Sequence, residues 1–245
     1  MASDNIHYYL IPGMGANALL YAQYNLEGAV HALDWPSHRQ ARTLTEYAAI
    51  VAEQVTTENN IIVGSSMGGM VATELSHIVK PKATILLSAP SGRHQFPMSL
   101  RMLRQLRLHR MLGPKQVYAL ANAADLFMGF QTPEDRERFY KMLRANGPEF
   151  LHFSVQAVLE WNHKQTPTGT YIHILGDRDK LFKPEKIPHS IVIRGAGHFA
   201  TYEKSDLISR LINAYVRNDF DRSSTLRYAL SKWPDEMAAH SDDRL

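Results

Sequence analysis

Between Asn59 and Met70 the chain reads NNIIVGSSMGGM, a β-branched run that stops at a glycine and meets two serines and two more glycines. Met67, Met70, Val71, Leu75 and Ile78 then fall at offsets that suit one face of a helix. A strand therefore turns straight into a helix with a serine at the bend. Such a unit belongs in folds where strands and helices alternate.

The alternation runs through most of the chain. Ile6 to Gly13 (IHYYLIPG) reads as a strand closing in a Pro-Gly loop, with a short helix predicted in LLYAQYN behind it. Ala29 to Trp35 reads as a second strand, closed by Pro36. Thr43 suits the cap of a helix carrying Leu44, Tyr47, Ala48, Val51 and Val55 on one face. Further strands are predicted at Lys82 to Pro90, Thr170 to Gly176 and His189 to Gly195, and a helix follows with Leu207, Ile208, Leu211, Ile212 and Tyr215. These strands are too apolar to have one wet face, which predicts an α/β fold with a mostly parallel sheet flanked by helices.

The pattern lapses over about residues 91–165, where SLRMLRQLRLHRML, KQVYALANAADLFM, TPEDRERFYKMLRANG and PEFLHFSVQAVLEWN are each helical and no strand intervenes. Thr132 and Pro133 suit the cap and first turn of the third. The segment reads as an inserted helical cap on a single domain spanning residues 1–245, with a tail from about 217 that holds a docked helix and a frayed end.

At 245 residues and 44% hydrophobic the chain can bury a substantial core. A net charge of +3 without a nucleic-acid motif predicts no nucleic-acid partner. The absence of cysteine excludes disulfides, thiolate metal sites and a cysteine nucleophile. None of the twelve histidines shows a metal-ligand spacing. The start MASDNIHYYLIPG has no basic region, and no apolar run approaches the roughly 20 residues of a spanning helix. A cytoplasmic location and no membrane association are the expectations.

A serine hydroxyl becomes a useful nucleophile only when exposed and met by a base. G-x-S-x-G arises by chance in about one chain in ten of this length, so the flanks of Ser66 carry the inference. Asp177-Arg178-Asp179 follows one later strand and Gly195-Ala196-Gly197-His198 ends the next, giving the order Ser, Asp, His. Asp177 and Asp179 are both loop residues, and the spacing alone leaves the acid open between them, with Asp34 at another strand end a distant third.

GSSMG, GDRD and GAGH resemble the nucleophile elbow, acid loop and histidine loop of the α/β-hydrolase family, with coverage from about Ile6 to Val216. The resemblance implies a serine hydrolase, foremost a carboxylic-ester hydrolase, with Ser66 as nucleophile and His198 as base. The family's usual acid stands about three residues past the strand's closing glycine and ahead of an apolar residue, which favours Asp179. The usual His-Gly after the first strand is here Pro12-Gly13-Met14-Gly15, and the implied oxyanion donors are the backbone N–H groups of Met14 and Met67. Only five residues precede Ile6, so the family's first two strands are expected to be absent. The resemblance implies no metal or organic cofactor and a small, apolar acyl substrate. Carbon–carbon hydrolases, thioesterases, hydroxynitrile lyases and ligand-binding relatives share the same residues, so the ester bond is an inference from fold plus triad.

The cap is rich in methionine and aromatic residues, among them Met98, Met102, Met111, Met128, Met142, Phe127 and Phe139, which suit either an adaptable pocket or the cap's own core. From Leu75 to Ala124 there are eight Lys or Arg and no Asp or Glu. Arg101, Arg104, Arg107 and Arg110 recur every third residue of a predicted helix. A solvated surface is the first reading, attraction of substrates with an anionic tail the second, and docking on an acidic membrane the third.

Overall fold

The computed structural model describes residues 6–121 and 124–238. In chain order, β1 (His7–Ile11), β2 (Ala29–Ala32), α1 (Leu44–Ala52), β3 (Asn60–Ser65), α2 (Met67–Val79) and β4 (Ala83–Leu87) come first. Four helices follow without a strand: α3 (Met98–Gln105), α4 (Pro114–Leu120), α5 (Asp125–Met128) and α6 (Pro133–Glu160). β5 (Thr170–Gly176), β6 (Ile191–Ile193), α7 (Ala200–Glu203), α8 (Ser205–Arg217) and α9 (Arg222–Lys232) complete the described chain.

The six strands form one sheet in the order β2-β1-β3-β4-β5-β6, and every pairing is parallel. Side chains alternate across it as a two-residue period requires. Ile61 and Val63 of β3 join the apolar layer on the α8 side, while Ile62 joins the layer under α1 and α2. The five apolar positions read on α8 are all at most 2% exposed, each burial contributing roughly 1.5–3 kcal/mol relative to exposure.

Helix starts follow their capping residues. The Thr43 hydroxyl accepts the Glu46 N–H at 3.1 Å, and the Thr132 hydroxyl accepts the Asp135 N–H at 3.1 Å. Pro133 then occupies the first turn of α6, where its missing N–H leaves no bond unmade. α6 bends at Gly147, whose φ of 73° and ψ of 163° lie outside helical space and directly precede Pro148. The two helical patterns of TPEDRERFYKMLRANG and PEFLHFSVQAVLEWN are the two arms of this bend.

Two expectations need correction, and the tail adds to the sheet. The arginine-bearing helix predicted over residues 99–112 is not continuous: α3 stops at Gln105, Arg107 takes a left-handed φ of 54°, and a short 3-10 turn covers Leu108–Met111. KQVYALANAADLFM is likewise two short helices, α4 and α5. The sheet also gains from the tail, because Met237 bridges antiparallel to Ile193 and the Arg194 N–H donates to Glu236 O at 2.8 Å. The frayed end predicted beyond it lies outside the described residues from 239 onward.

Candidate active site

β3 ends at Ser65, and Ser66 makes the turn into α2 with φ 52° and ψ −116°, a conformation L residues seldom hold. The turn is possible because its flanks lack side chains. A Cβ on Gly68 would sit 2.2 Å from Pro12 O, and one on Gly64 would sit 2.3 Å from Gly68 O. The Ser66 N–H donates to Leu87 O at 2.9 Å, and Ser66 O accepts the N–H groups of Gly69 and Met70 at 3.0 and 3.2 Å. The bend is thus held from both sides, at the C-terminal end of an interior strand, and Ser66 faces the cavity described below.

The loop after β6 brings His198 over it. His198 Nε2 lies 3.0 Å from Ser66 Oγ, and Nδ1 lies 2.9 Å from Asp179 Oδ2. An Nδ1–H donating to the carboxylate leaves Nε2 to accept from the serine hydroxyl. Asp179 is 2% exposed, and its other oxygen accepts the N–H groups of Leu181 and Phe182 at 2.8 and 3.0 Å. A hydroxyl bonded to an imidazole that is itself bonded to a buried carboxylate can lose its proton as it attacks. Asp177 is exposed, and Asp34 accepts the Ala18 N–H at 3.0 Å instead, so neither joins this chain of bonds.

Ser66, His198, Met14 and Met67 all face a cavity of about 420 Å³ whose other walls are almost wholly apolar. Among the described residues no acceptor takes the N–H of Met14 or of Met67. α6 supplies Phe139 and Leu143 from one arm and Leu151, Val155 and Val158 from the other, so the bend at Gly147 wraps the cavity. Among the methionines and aromatics of residues 91–165 three placements recur, and Phe127 combines two of them, being exposed at the cavity wall. Phe127, Met128 and Phe139 line the cavity; Phe96, Met142, Phe150 and Trp161 are buried; Met98, Met102 and Met111 are exposed.

Two residues went unread in the sequence. Ser65 Oγ and Thr201 Oγ1 are 2.8 Å apart, buried, and both line the cavity, so the serine beside the bend ties β3 to the helix that follows His198. Tyr24 completes the tie by donating to Thr201 O at 2.9 Å. The only signal for Ser65 was its place next to Ser66, and Thr201 carried none. The helical segment holds the same loop from outside, with the Phe199 N–H donating to Met128 O at 3.0 Å. Among the described residues no three His, Asp or Glu side chains gather as a metal site. No described helix is long and apolar enough to cross a membrane.

Solved structures with the same fold include a thermophilic esterase from Thermogutta terrifontis, at TM-score 0.73 and 17% identity over 89% of this chain and 91% of that one. A hydrolase from Pseudomonas aeruginosa PA01 has TM-score 0.66 and 19% identity over 88% and 91% of the respective chains. The type II thioesterase BorB from the borrelidin biosynthetic cluster has TM-score 0.61 and 16% identity over 89% and 94%. At such identities the likeness speaks for the fold alone. No curated protein matches in sequence. The model of the alpha/beta hydrolase family, however, matches residues 9–211, and the chain belongs to that family.

Proposed function

We propose that this protein is a serine-dependent acyl hydrolase, foremost on carboxylic esters. The observation that supports the reading is the unbroken series of short contacts from Asp179 through His198 to Ser66 at an apolar cavity. Ser66 Oγ attacks the substrate carbonyl as His198 Nε2 takes its proton, and Asp179 holds the imidazole in the required tautomer. The N–H groups of Met14 and Met67 receive the oxyanion. Such a donor is worth about 10²–10³ in kcat when it is aligned on the developing charge. The protonated imidazole then gives its proton to the leaving alkoxide, and water activated by the same histidine releases the acid. Helices α3 to α6 act as a cap whose apolar walls take the acyl chain.

The deciding experiment is labelling with a fluorophosphonate probe, alongside turnover of p-nitrophenyl esters of increasing chain length and of matching thioesters. Ser66→Ala should lose both labelling and turnover while Ser65→Ala keeps labelling. An adduct mapped to Ser65, or labelling that survives in Ser66→Ala, would place the nucleophile elsewhere. Thioester turnover that far exceeds ester turnover would move the substrate class to thioesters with the same residues.

A further inference from the structure

Of the twelve exposed large apolar or aromatic side chains among the described residues, eight lie between Met98 and Phe127. α3 contributes three of these and Leu106 caps it, and the helix has no buried residue at all. Met98, Met102 and Leu106, spaced by four, are 67%, 54% and 61% exposed, so this helix turns an apolar stripe outward. Its inner side carries Leu100, which packs on the core, and Arg104, which reaches Glu160. Helices ordinarily bury such a stripe.

The same stretch is cationic. Glu160 meets Arg104 and Arg110, but Arg93, Arg101, Arg107 and Lys115 form no ion pair among the described residues. Exposed apolar side chains with arginines between them, the single acid from Met98 to Phe127 being Asp125, which is paired with Arg136, fit the anionic surface of a lipid bilayer. The location adds to this. Leu103, Leu120 and Phe127 are both exposed and part of the cavity wall, so the stripe continues into the space that reaches Ser66.

We propose that the outer face of α3, together with the mouth formed by Leu103, Leu120 and Phe127, docks on anionic membrane surfaces and admits acyl substrates from the lipid phase. A chain that passes from bilayer to cavity is never exposed to water, and every methylene kept from water lowers the cost of transfer. A protein partner would need a shaped counterpart for side chains that stand out singly, whereas lipid fits around them. This departs from the expectation of no membrane association, which rested on the absence of a spanning segment.

Cosedimentation with vesicles tests it without any turnover, so failure here and failure of the hydrolase reading are separable. The intact protein should be retained by phosphatidylglycerol-containing vesicles, far less by pure phosphatidylcholine, and should be released as salt rises. Arg101→Gln with Arg107→Gln should weaken retention about twenty-five-fold, roughly five-fold for each charge removed. Met98→Ser, Met102→Ser and Leu106→Ser together should weaken it at least about ten-fold. Both variants should keep wild-type circular dichroism and turnover of a short, water-soluble ester, because neither touches the cavity wall. A protein that stays in the supernatant with anionic vesicles at low salt, or a triple serine variant retained as well as wild type, overturns the proposal. So does a face that ignores vesicles yet lowers KM, in the wild type but not the serine variant, for an acyl group carried on an acidic protein.

Discussion

Asp179 engages both carboxylate oxygens inside the fold, one with His198 and the other with the N–H groups of Leu181 and Phe182. Asp177, two residues earlier, is in solvent. Burial is what separates them, and burial is not written in GDRD; only the apolar Leu181 and Phe182 that follow hint at which aspartate turns inward. Under the proposed mechanism Asp179→Asn presents an amide that favours the wrong tautomer of His198 and should lower kcat by about 10⁴, the loss seen when a serine protease triad loses its acid. Asp177→Asn should stay within about three-fold, a surface change of the kind that rarely matters. Pre-steady-state and steady-state rates on one activated ester decide it, and equal mild losses in the two variants would remove Asp179 from its role. Ser66 and His198 were legible because their surroundings are made of glycine, which announces a backbone constraint. Thr201, held to Ser65, was not, because an ordinary threonine in a helix announces nothing.

At the level of elements, strands and the helices beside them were readable from periodicity, and the segment between β4 and β5 was readable only as helical. The arginine stretch shows why. A spacing of three looks continuous in sequence, yet the chain breaks at Arg107, whose left-handed φ of 54° leaves the helix and starts the short 3-10 turn. The bend in α6 was legible from Gly147-Pro148 and is open to test. A Cβ on Gly147 would meet no atom within 4 Å, so Gly147→Ala carries no steric clash with neighbours. Its φ of 73° with ψ of 163° is nonetheless almost exclusive to glycine. The substitution should therefore destabilise by about 1–3 kcal/mol, measured by urea unfolding, and raise KM for long acyl chains more than for acetyl because both arms line the cavity. A neutral Gly147→Ala would show that the bend relaxes without strain. At the far end of the same segment, Trp161 Nε1 donates to the buried Glu74 at 2.7 Å, and His163 pairs with the same oxygen at 3.0 Å. Burial pushes the Glu74 carboxyl up, but the bonds from His163 and Trp161 outweigh it and hold it below its usual range. Trp161→Phe leaves that carboxylate one donor short and should cost about 1–3 kcal/mol of stability, read from the same unfolding curves.

Across the whole molecule, the parallel sheet followed from apolar strands alternating with helices, but its order did not, since β5 joins β4 only after some eighty intervening residues. What joins that intervening segment to the histidine loop is a set of polar bonds that no pattern in sequence marks. Gln131 donates its N–H to Glu203 Oε1 at 2.9 Å and its side-chain amide to Gly195 O at 3.2 Å. Burial pushes the Glu203 carboxyl up to about 7; the Gln131 N–H opposes this, Asp135 adds to it and Lys204 opposes it. Between its ordinary value of 4.5 and about 7, the native state holds a proton on Glu203 that the unfolded chain has released. This carboxyl therefore contributes stability below that window, loses it as pH rises through the window, and makes no further change above it. Glu203→Gln keeps an oxygen for the Gln131 N–H and removes the titration. The variant's urea midpoint, compared with wild type, should shift in the variant's favour from about pH 5 to about pH 8, most of the shift falling below pH 7. A difference between the two proteins that does not change with pH would mean that Glu203 stays ionised in the fold and that Gln131 holds the segment against the histidine loop without help from a proton.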